Sequence, residues 1–344
     1  VVILEGMSEH EVDAATQAEM VGEKILIKFV QPYQFKGYEY HITPSIGITL
    51  FGKNNLKSDE LLKQADIAMY QAKKLGRNAL SFFDPKMQEG IQARVDMEHE
   101  LRKALDKNEF QLFYQMQVGL ADRAIGAEAL LRWVHPERGL IAPNQFIAIA
   151  EDSNMILSIG AWVIDSACAQ LKRWEQSERT RELTLSVNVS AKQFRQADFV
   201  QQVTMAVAHH GINPMLLKLE LTESALLDQI EDAIDVMNAL KDIGVRFSLD
   251  DFGTGYSSLQ YLRLLPLYQL KIDRSFVCNI ARSSGDQAIV RTIIAMAHTL
   301  NLNVIAEGVE TQVQQGILLD SGCMHYQGYL FSKPVPVDAF EALL

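Results

Sequence analysis

Positive charge is scarce in this sequence. Lys and Arg number 32 against 43 Asp and Glu, a formal net charge of −11 over 344 residues. A protein that grips DNA or RNA polymers needs a broad positive face, so this shortage argues against that class. It leaves room for small anionic ligands, whose sites need only local cations or metal ions. Cysteine is nearly absent as well. Cys168, Cys278 and Cys323 are too few and too scattered for a disulfide framework or a zinc site, and are expected to be free thiols in a reducing cytoplasm. No apolar run is long enough to span a bilayer, and no charged-then-apolar leader opens the chain. It opens on VVILEG without a Met and is expected to be part of something longer. His135, His209, His210 and His298 show no metal-ligand spacing. What is plentiful is apolar surface: 48% of residues, enough for large cores and too much for disorder. The length suits two or three domains.

Residues 1–83 read as a short α/β piece. VVIL and YHITPSIGITLF have strand composition. Ser58 is the expected N-cap of a helix running to a stop at Gly76, with Leu61, Leu62, Ala65, Met69 and Ala72 on its core face. Residues 84–107 predict a charged connecting helix, with Asp84 as cap and Pro85 in the first turn. From residue 108 to 344, strand-like runs alternate with helical ones: FQLFYQMQV, AIGAEALLRW, LTLSVNVS, LKLELTE, RFSLDDFG, YQLKID, LNVIAEG and MHYQGYLF. Eight strands in this arrangement predict a (β/α)8 barrel. Only GLADR separates the first two, which permits an antiparallel hairpin and no crossover helix. The fold class is therefore α/β: a modified, TIM-like barrel with one antiparallel strand, preceded by a smaller, partial α/β domain.

Side chains alternate along a strand. In LTLSVNVS the apolar Leu185, Val187 and Val189 oppose Ser186 and Asn188; in LKLELTE, Leu219 and Leu221 oppose Lys218, Glu220 and Thr222. The same parity sets Glu128 and Arg132, Ser248 and Asp250, Lys271 and Asp273, and Glu307 against apolar neighbours. The apolar face must meet the outer helices, so the polar face points into the barrel, where branched apolar side chains are the rule. Six strands thus deliver Glu128, Asn188, Glu220, Asp250, Lys271 and Glu307 near their C-terminal ends, where barrel active sites lie. Taken singly, an Asp-Asp pair is more often a cap and a strand Glu more often faces solvent. Taken together, several carboxylates aimed at one mouth need a counter-charge that one Lys and one Arg do not supply. An all-oxygen donor set suits Mg²⁺ or Mn²⁺, and a pair of such ions suits attack on a phosphodiester.

The stretches AEALLRW, SVNVS, LELTES, SLDDFGTGYSSLQYL, LKIDRSF, AEGVET and QGYLFSKP occur in that order through residues 110–344. They resemble the EAL-domain phosphodiesterases of cyclic di-GMP. The resemblance implies hydrolysis of cyclic di-GMP to the linear dinucleotide pGpG with two Mg²⁺ or Mn²⁺ ions. It implies that Glu128, Asn188, Glu220 and Asp250 bind one ion, that Asp250 bridges to a second also held by Asp251, and that Glu307 serves that second site. Lys271 resembles the lysine that positions or activates the attacking water. Arg132 resembles the arginine that grips a substrate phosphate; Gln327 and Asp273 are counted with it on the substrate side, Gln327 also as support for the site. Glu223 resembles the glutamate that anchors the loop after Asp-Asp-Phe-Gly, and Glu310 an acid supporting Glu307. No departure touches these positions; Met116, where the family often has Pro, lies outside them. A homodimer coupled to the metals through residues 252–258 is implied too.

Residues 1–83, through ADIAMYQAKKLGRN, resemble the second half of a GGDEF diguanylate cyclase domain, with Lys73 and Arg77 similar to its triphosphate-contacting bases. The Gly-Gly-Asp-Glu-Phe signature would sit just before Val1, so the chain as given is not expected to make cyclic di-GMP. A nucleotide receptor without useful hydrolysis, and a protein whose first domain regulates the second, are the competing readings.

Overall fold

The computed structural model of the chain describes residues 1–8, 10–30, 33–35, 38–40, 42–51, 57–227, 230–253 and 262–344. It divides into two compact units, Val1–Met97 and Glu98–Leu344. The division falls inside a helix, Pro85–Ala104, which opens on the proline, whose fixed φ suits a first turn. It ends three residues earlier than its charge pattern suggests, because Asn108 turns left-handed (φ 54°) and Glu109 N–H closes onto Ala104 C=O at 2.9 Å.

The first unit holds a helix at Glu11–Val30, an antiparallel pair β1 (Tyr33–Phe35) and β2 (Tyr38–Tyr40), and a parallel pair β3 (Ile46–Ile48) and β4 (Leu80–Phe82). VVIL forms no strand: residues 1–4 are exposed, with no neighbouring strand among the described residues to complete a ladder. The helix Ser58–Lys74 starts with Ser58 already inside it, after Lys57, and Ser58 is not its cap. Its buried positions are Ala68 and Ala72, while Leu62 is 46% exposed; the stripe runs through Leu61, Ala65, Ala68 and Ala72, about a hundred degrees from Leu62. Gly47 lets this helix lie on β3: a Cβ there would come within 2.0 Å of Ala65 C=O and 2.2 Å of Met69 N. Gly76 ends the helix with φ +108°, a conformation few other residues adopt readily.

In the second unit the strands are β5 (Phe110–Val118), β6 (Ala124–His135), β7 (Gly139–Ile141), β8 (Thr184–Asn188), β9 (Leu217–Thr222), β10 (Arg246–Phe252), β11 (Gln269–Ile272), β12 (Asn303–Ala306) and β13 (His325–Gln327). They run in the order β5-β13-β12-β11-β10-β9-β8-β6-β7, and β5 also pairs with β6, which closes eight strands into a barrel and leaves β7 on its flank. All pairs from β6 through β8 to β13 are parallel; β5 is antiparallel to both neighbours. The short Gly119–Arg123 connection forces this, since it returns the chain at once through Ala121 and Asp122 in left-handed conformations.

The alternation holds. Leu185, Val187, Leu219, Leu221, Phe247, Leu270 and Ile272 are buried outside the barrel wall, and each such side chain contributes about 1.5–3 kcal/mol of burial. The helix Met155–Trp174 covers the β8 and β9 part of this face, burying Ile156, Ile159, Val163, Ala167 and Leu171 at a spacing of three or four residues. Inside the barrel the side chains are mostly polar, in two layers: Gln117, Ser186, Lys218, Ser248 and Gln269 below, and the acids with Lys271 above; buried Ile305, on the parity of Glu307 and in register with Lys271, is an apolar exception. Among the described residues no helix is long and apolar enough to cross a membrane.

Candidate active site

Lys271, on β11, is 1% exposed and stands at the centre of the upper layer. Its Nζ contacts Glu220 on β9, Glu307 Oε1 after β12 at 2.6 Å, Asp250 Oδ2 on β10 at 3.2 Å and Glu128 Oε2 on β6 at 3.8 Å. One ammonium faces four carboxylates. Burial alone would pull its pKa down, but the summed pull of Glu128, Glu220, Glu307 and Asp250 outweighs that and holds it well above the ordinary lysine value. The acids pay the other side of the imbalance. Burial first, then Glu128 and Asp250, push Glu220 up to about 7 against the pull of Lys271. Burial likewise pushes Glu307 well above the usual carboxylate range.

Asn188 donates from Nδ2 to Glu128 Oε1 at 2.6 Å, and Gln327 donates from Nε2 to Glu128 Oε2. Strand parity alone would send Asp251 away from Asp250. Instead Asp251 adopts φ +54°, where the register of β10 on β11 shifts, and its N–H donates to Asp250 Oδ1 at 2.9 Å. A non-glycine residue in this conformation is strained, and such strain is typical of functional positions. Burial, then Asp250 and Asp273, raise the Asp251 pKa, so its carboxylate feels the same negative mouth.

Arg132 lies farther along β6, over the Phe113 ring at 5.6 Å, with Nη1 donating to Leu131 C=O at 2.9 Å. Asp273 caps the helix Arg274–Cys278 by accepting from Ser275 N–H at 2.9 Å. Glu310 pairs with Arg274 Nη2 at 2.8 Å at the exposed rim rather than contacting Glu307. Glu223 is buried, and among the described residues neither carboxylate oxygen has a hydrogen-bond partner. The loop it was expected to anchor falls in residues 254–261, outside the described residues.

Arg274 and Tyr329 also line the mouth, and parity could not find them because both follow the ends of their strands. Gly308 makes room for Arg274: at φ +67°, a Cβ would lie 2.3 Å from the arginine Cγ. Lys218 and Gln117 were missed as contributors too, although Lys218 shares its strand face with Glu220.

The donor set fits a hard divalent cation. It is all oxygen, it carries an excess of negative charge, and Glu220 Oε1 is buried with no hydrogen-bond partner among the described residues. The carboxylates here gather around Lys271, and among the described residues no three acidic, His or Cys side chains meet at coordinating spacing.

A closed barrel with one reversed strand and an acidic mouth at its C-terminal rim defines a distinct class of barrel protein. A family model of the EAL domain matches residues 98–334, and one of the diguanylate cyclase GGDEF domain matches residues 1–79. The chain belongs to the EAL domain family, with part of a GGDEF domain ahead of the barrel. It is 43% identical over 332 residues to the bifunctional diguanylate cyclase/cyclic di-GMP phosphodiesterase MucR of Pseudomonas aeruginosa, covering 96% of this chain and 48% of that protein. It is 40% identical over 329 residues to the cyclic di-GMP phosphodiesterase NbdA of the same organism, covering 95% and 42%. The chain thus spans about half the length, or less, of these curated relatives. A solved MucR phosphodiesterase in complex with c-di-GMP superposes with a TM-score of 0.69 at 43% identity, covering 71% of this chain and 99% of that one. The EAL enzyme Bd1971, bound to cAMP and cyclic di-GMP, gives 0.72 at 35% identity, covering 84% and 76%.

The raised Glu220 pKa has a consequence for stability. An unfolded glutamate ionises near 4.5, so between there and about 7 the unfolded chain gives up its proton before the folded one does. The stability contribution is therefore complete below 4.5 and is lost as pH rises through about 7. In chelator, the protein is expected to weaken between pH 5 and 7.5, and Glu220→Gln to weaken less across that window. Urea denaturation at the two pH values checks this; equal losses in both proteins would contradict it.

Proposed function

We propose that this chain hydrolyses cyclic di-GMP to linear pGpG with two Mg²⁺ or Mn²⁺ ions. The observation that carries the reading is the convergence of Glu128, Asn188, Glu220, Asp250, Lys271 and Glu307, from six strand ends, on the barrel mouth around the buried Lys271, with Asn188 at its exposed edge. Glu128, Asn188, Glu220 and Asp250 would hold one ion; Asp250, Asp251 and Glu307 would serve the other. When bound, such ions supply charge stabilisation at the phosphate and an acidified water. Lys271 orients the attacking water through its N–H donors, and would aid the proton movement where bound metal neutralises the carboxylates that otherwise hold it as an ammonium. Arg132 grips a non-bridging phosphate oxygen, with Asp273 on the substrate side. Gln327 holds Glu128 in place through its amide N–H. Glu223 and Glu310 act on the surrounding loops and rim rather than on the phosphate.

The reading carries a homodimer and a cytoplasmic location with it. Three unpaired cysteines, two of them buried, agree with a reducing compartment. The test is product identification by chromatography after incubation of the purified protein with cyclic di-GMP and Mg²⁺ or Mn²⁺. Linear pGpG is the expected product. Tight nucleotide binding with no linear product would replace the hydrolase with a receptor.

A further inference from the structure

Below the acidic layer lies a buried cation with no part in the chemistry just described. Lys218, on β9 and 2% exposed, donates from Nζ to Gln117 Oε1 at 2.9 Å and to Gln269 Oε1 at 3.1 Å. An ammonium has only donors to offer, so both amides must turn their oxygens toward it. Gln117 is then left with its Nε2, which donates to Gln327 Oε1 at 2.9 Å. With that oxygen taken, Gln327 has only Nε2 for its other neighbours, and donates to Glu128 Oε2 and to Gln115 Oε1 at 3.2 Å. Gln115 closes the branch by donating to Ser332 C=O at 3.1 Å. The chain of donors therefore runs one way, from the barrel floor to the carboxylate at its mouth.

We propose that Lys218 is a positioning residue which, through Gln117, sets the amide polarity of Gln327 and so fixes Glu128 for divalent-metal binding. The inference rests on the reading of Glu128 as a metal ligand. Its physical basis is that every member is buried: Lys218, Gln117, Gln327 and Glu128 are each 5% exposed or less. No bulk water is at hand to repair a flipped amide, and an unmatched buried group is costly. Without a cation at 218, Gln117 is free to turn over and present Oε1 to Gln327. Gln327 must then turn as well, and its carbonyl oxygen meets the Glu128 carboxylate. Acceptor against acceptor drives the carboxylate out of position. Gln269 provides the control, because it touches the same ammonium and is equally buried but, among the described residues, has no hydrogen bond to Gln327 or Glu128.

The test compares Lys218→Met, Gln117→Leu, the double variant and Gln269→Leu in the full chain. Mn²⁺ binding is read by calorimetry, turnover of cyclic di-GMP by product release, and folding by circular dichroism. Lys218→Met and Gln117→Leu are each expected to weaken Mn²⁺ about tenfold, the low end of the scale for disturbing the group directly behind a ligand, because both act on Glu128 through Gln327. The double variant is expected to be no weaker than either, because both cut one relay. Gln269→Leu is expected to keep the wild-type Mn²⁺ affinity whatever it does to the melting temperature. Additive losses, wild-type affinity in Lys218→Met, or equal damage from Gln269→Leu would overturn the relay. If Lys218→Met does not fold, Gln117→Leu against Gln269→Leu decides alone. A wild-type protein that binds Mn²⁺ yet forms no pGpG removes the hydrolase reading and leaves the relay to be judged on the affinities. One that binds no Mn²⁺ overturns both.

Discussion

Asp250→Asn is expected to lower cyclic di-GMP turnover by more than about a hundredfold while leaving the fold intact. The magnitude follows from comparison: replacing a group one step behind a metal ligand costs about 10–100-fold in affinity or activity, and a ligand shared by two ions should cost more. The selectivity follows from geometry. Asn keeps an oxygen where Oδ1 accepts the Asp251 N–H, so the left-handed turn at Asp251 keeps its hydrogen bond. What is lost is one negative charge, 3.2 Å from the Lys271 ammonium and among three other carboxylates. The amide nitrogen then replaces Oδ2 beside the Lys271 ammonium, donor against donor, and relief of the carboxylate crowding offsets that loss, so the melting temperature in chelator should fall little. The measurements are steady-state turnover in saturating Mg²⁺ or Mn²⁺ and a thermal melt in chelator. Near-normal turnover would remove Asp250 from the metal site, and collapse of the fold would make its role structural.

Much of this site was legible because barrel strands translate parity into position. Glu220 and Lys218 share a face by counting alone, and so do Asp250 and Ser248; the structure puts both pairs inside the barrel. Asp251 was named only through the resemblance, since parity sends it outward and it is a left-handed torsion that turns its N–H onto Asp250. Torsions of that kind leave little trace in residue type. The helix Glu11–Val30 escaped notice for a different reason. Its buried positions are Ala14, Ala18 and Gly22, small residues that carry almost no hydrophobic signal. VVIL erred in the opposite direction: strand composition without a strand to pair with. Lys218 was seen on the correct face, but its meaning depends on Gln117, Gln269 and Gln327, which are far apart in sequence and meet only when the barrel closes.

The same crowding makes Lys271→Met the most informative change for stability. In chelator at pH 7.5 the variant is expected to be less stable than wild type by about 3–5 kcal/mol, the cost of removing one partner from a buried ion pair. Four carboxylates then share one buried mouth with no cation inside it. The loss should shrink at pH 5, where Glu220 and Glu307, already raised in pKa with the lysine present, take up protons more readily still. Millimolar Mg²⁺ should recover stability, because an ion that binds only the folded state contributes RT ln(1 + [L]/Kd). Turnover should not recover with it. If Lys271 orients the water and moves its proton, the magnesium-loaded variant is folded and at least about a hundredfold slower, since a positioned acid or base supplies about 10²–10⁴-fold. Denaturation with and without Mg²⁺ at both pH values, alongside turnover in saturating Mg²⁺, separates the two roles. Wild-type stability in chelator at pH 7.5 would show that the carboxylates do not depend on the ammonium. Restored turnover in Mg²⁺ would reduce Lys271 to a counter-charge that a metal ion can replace.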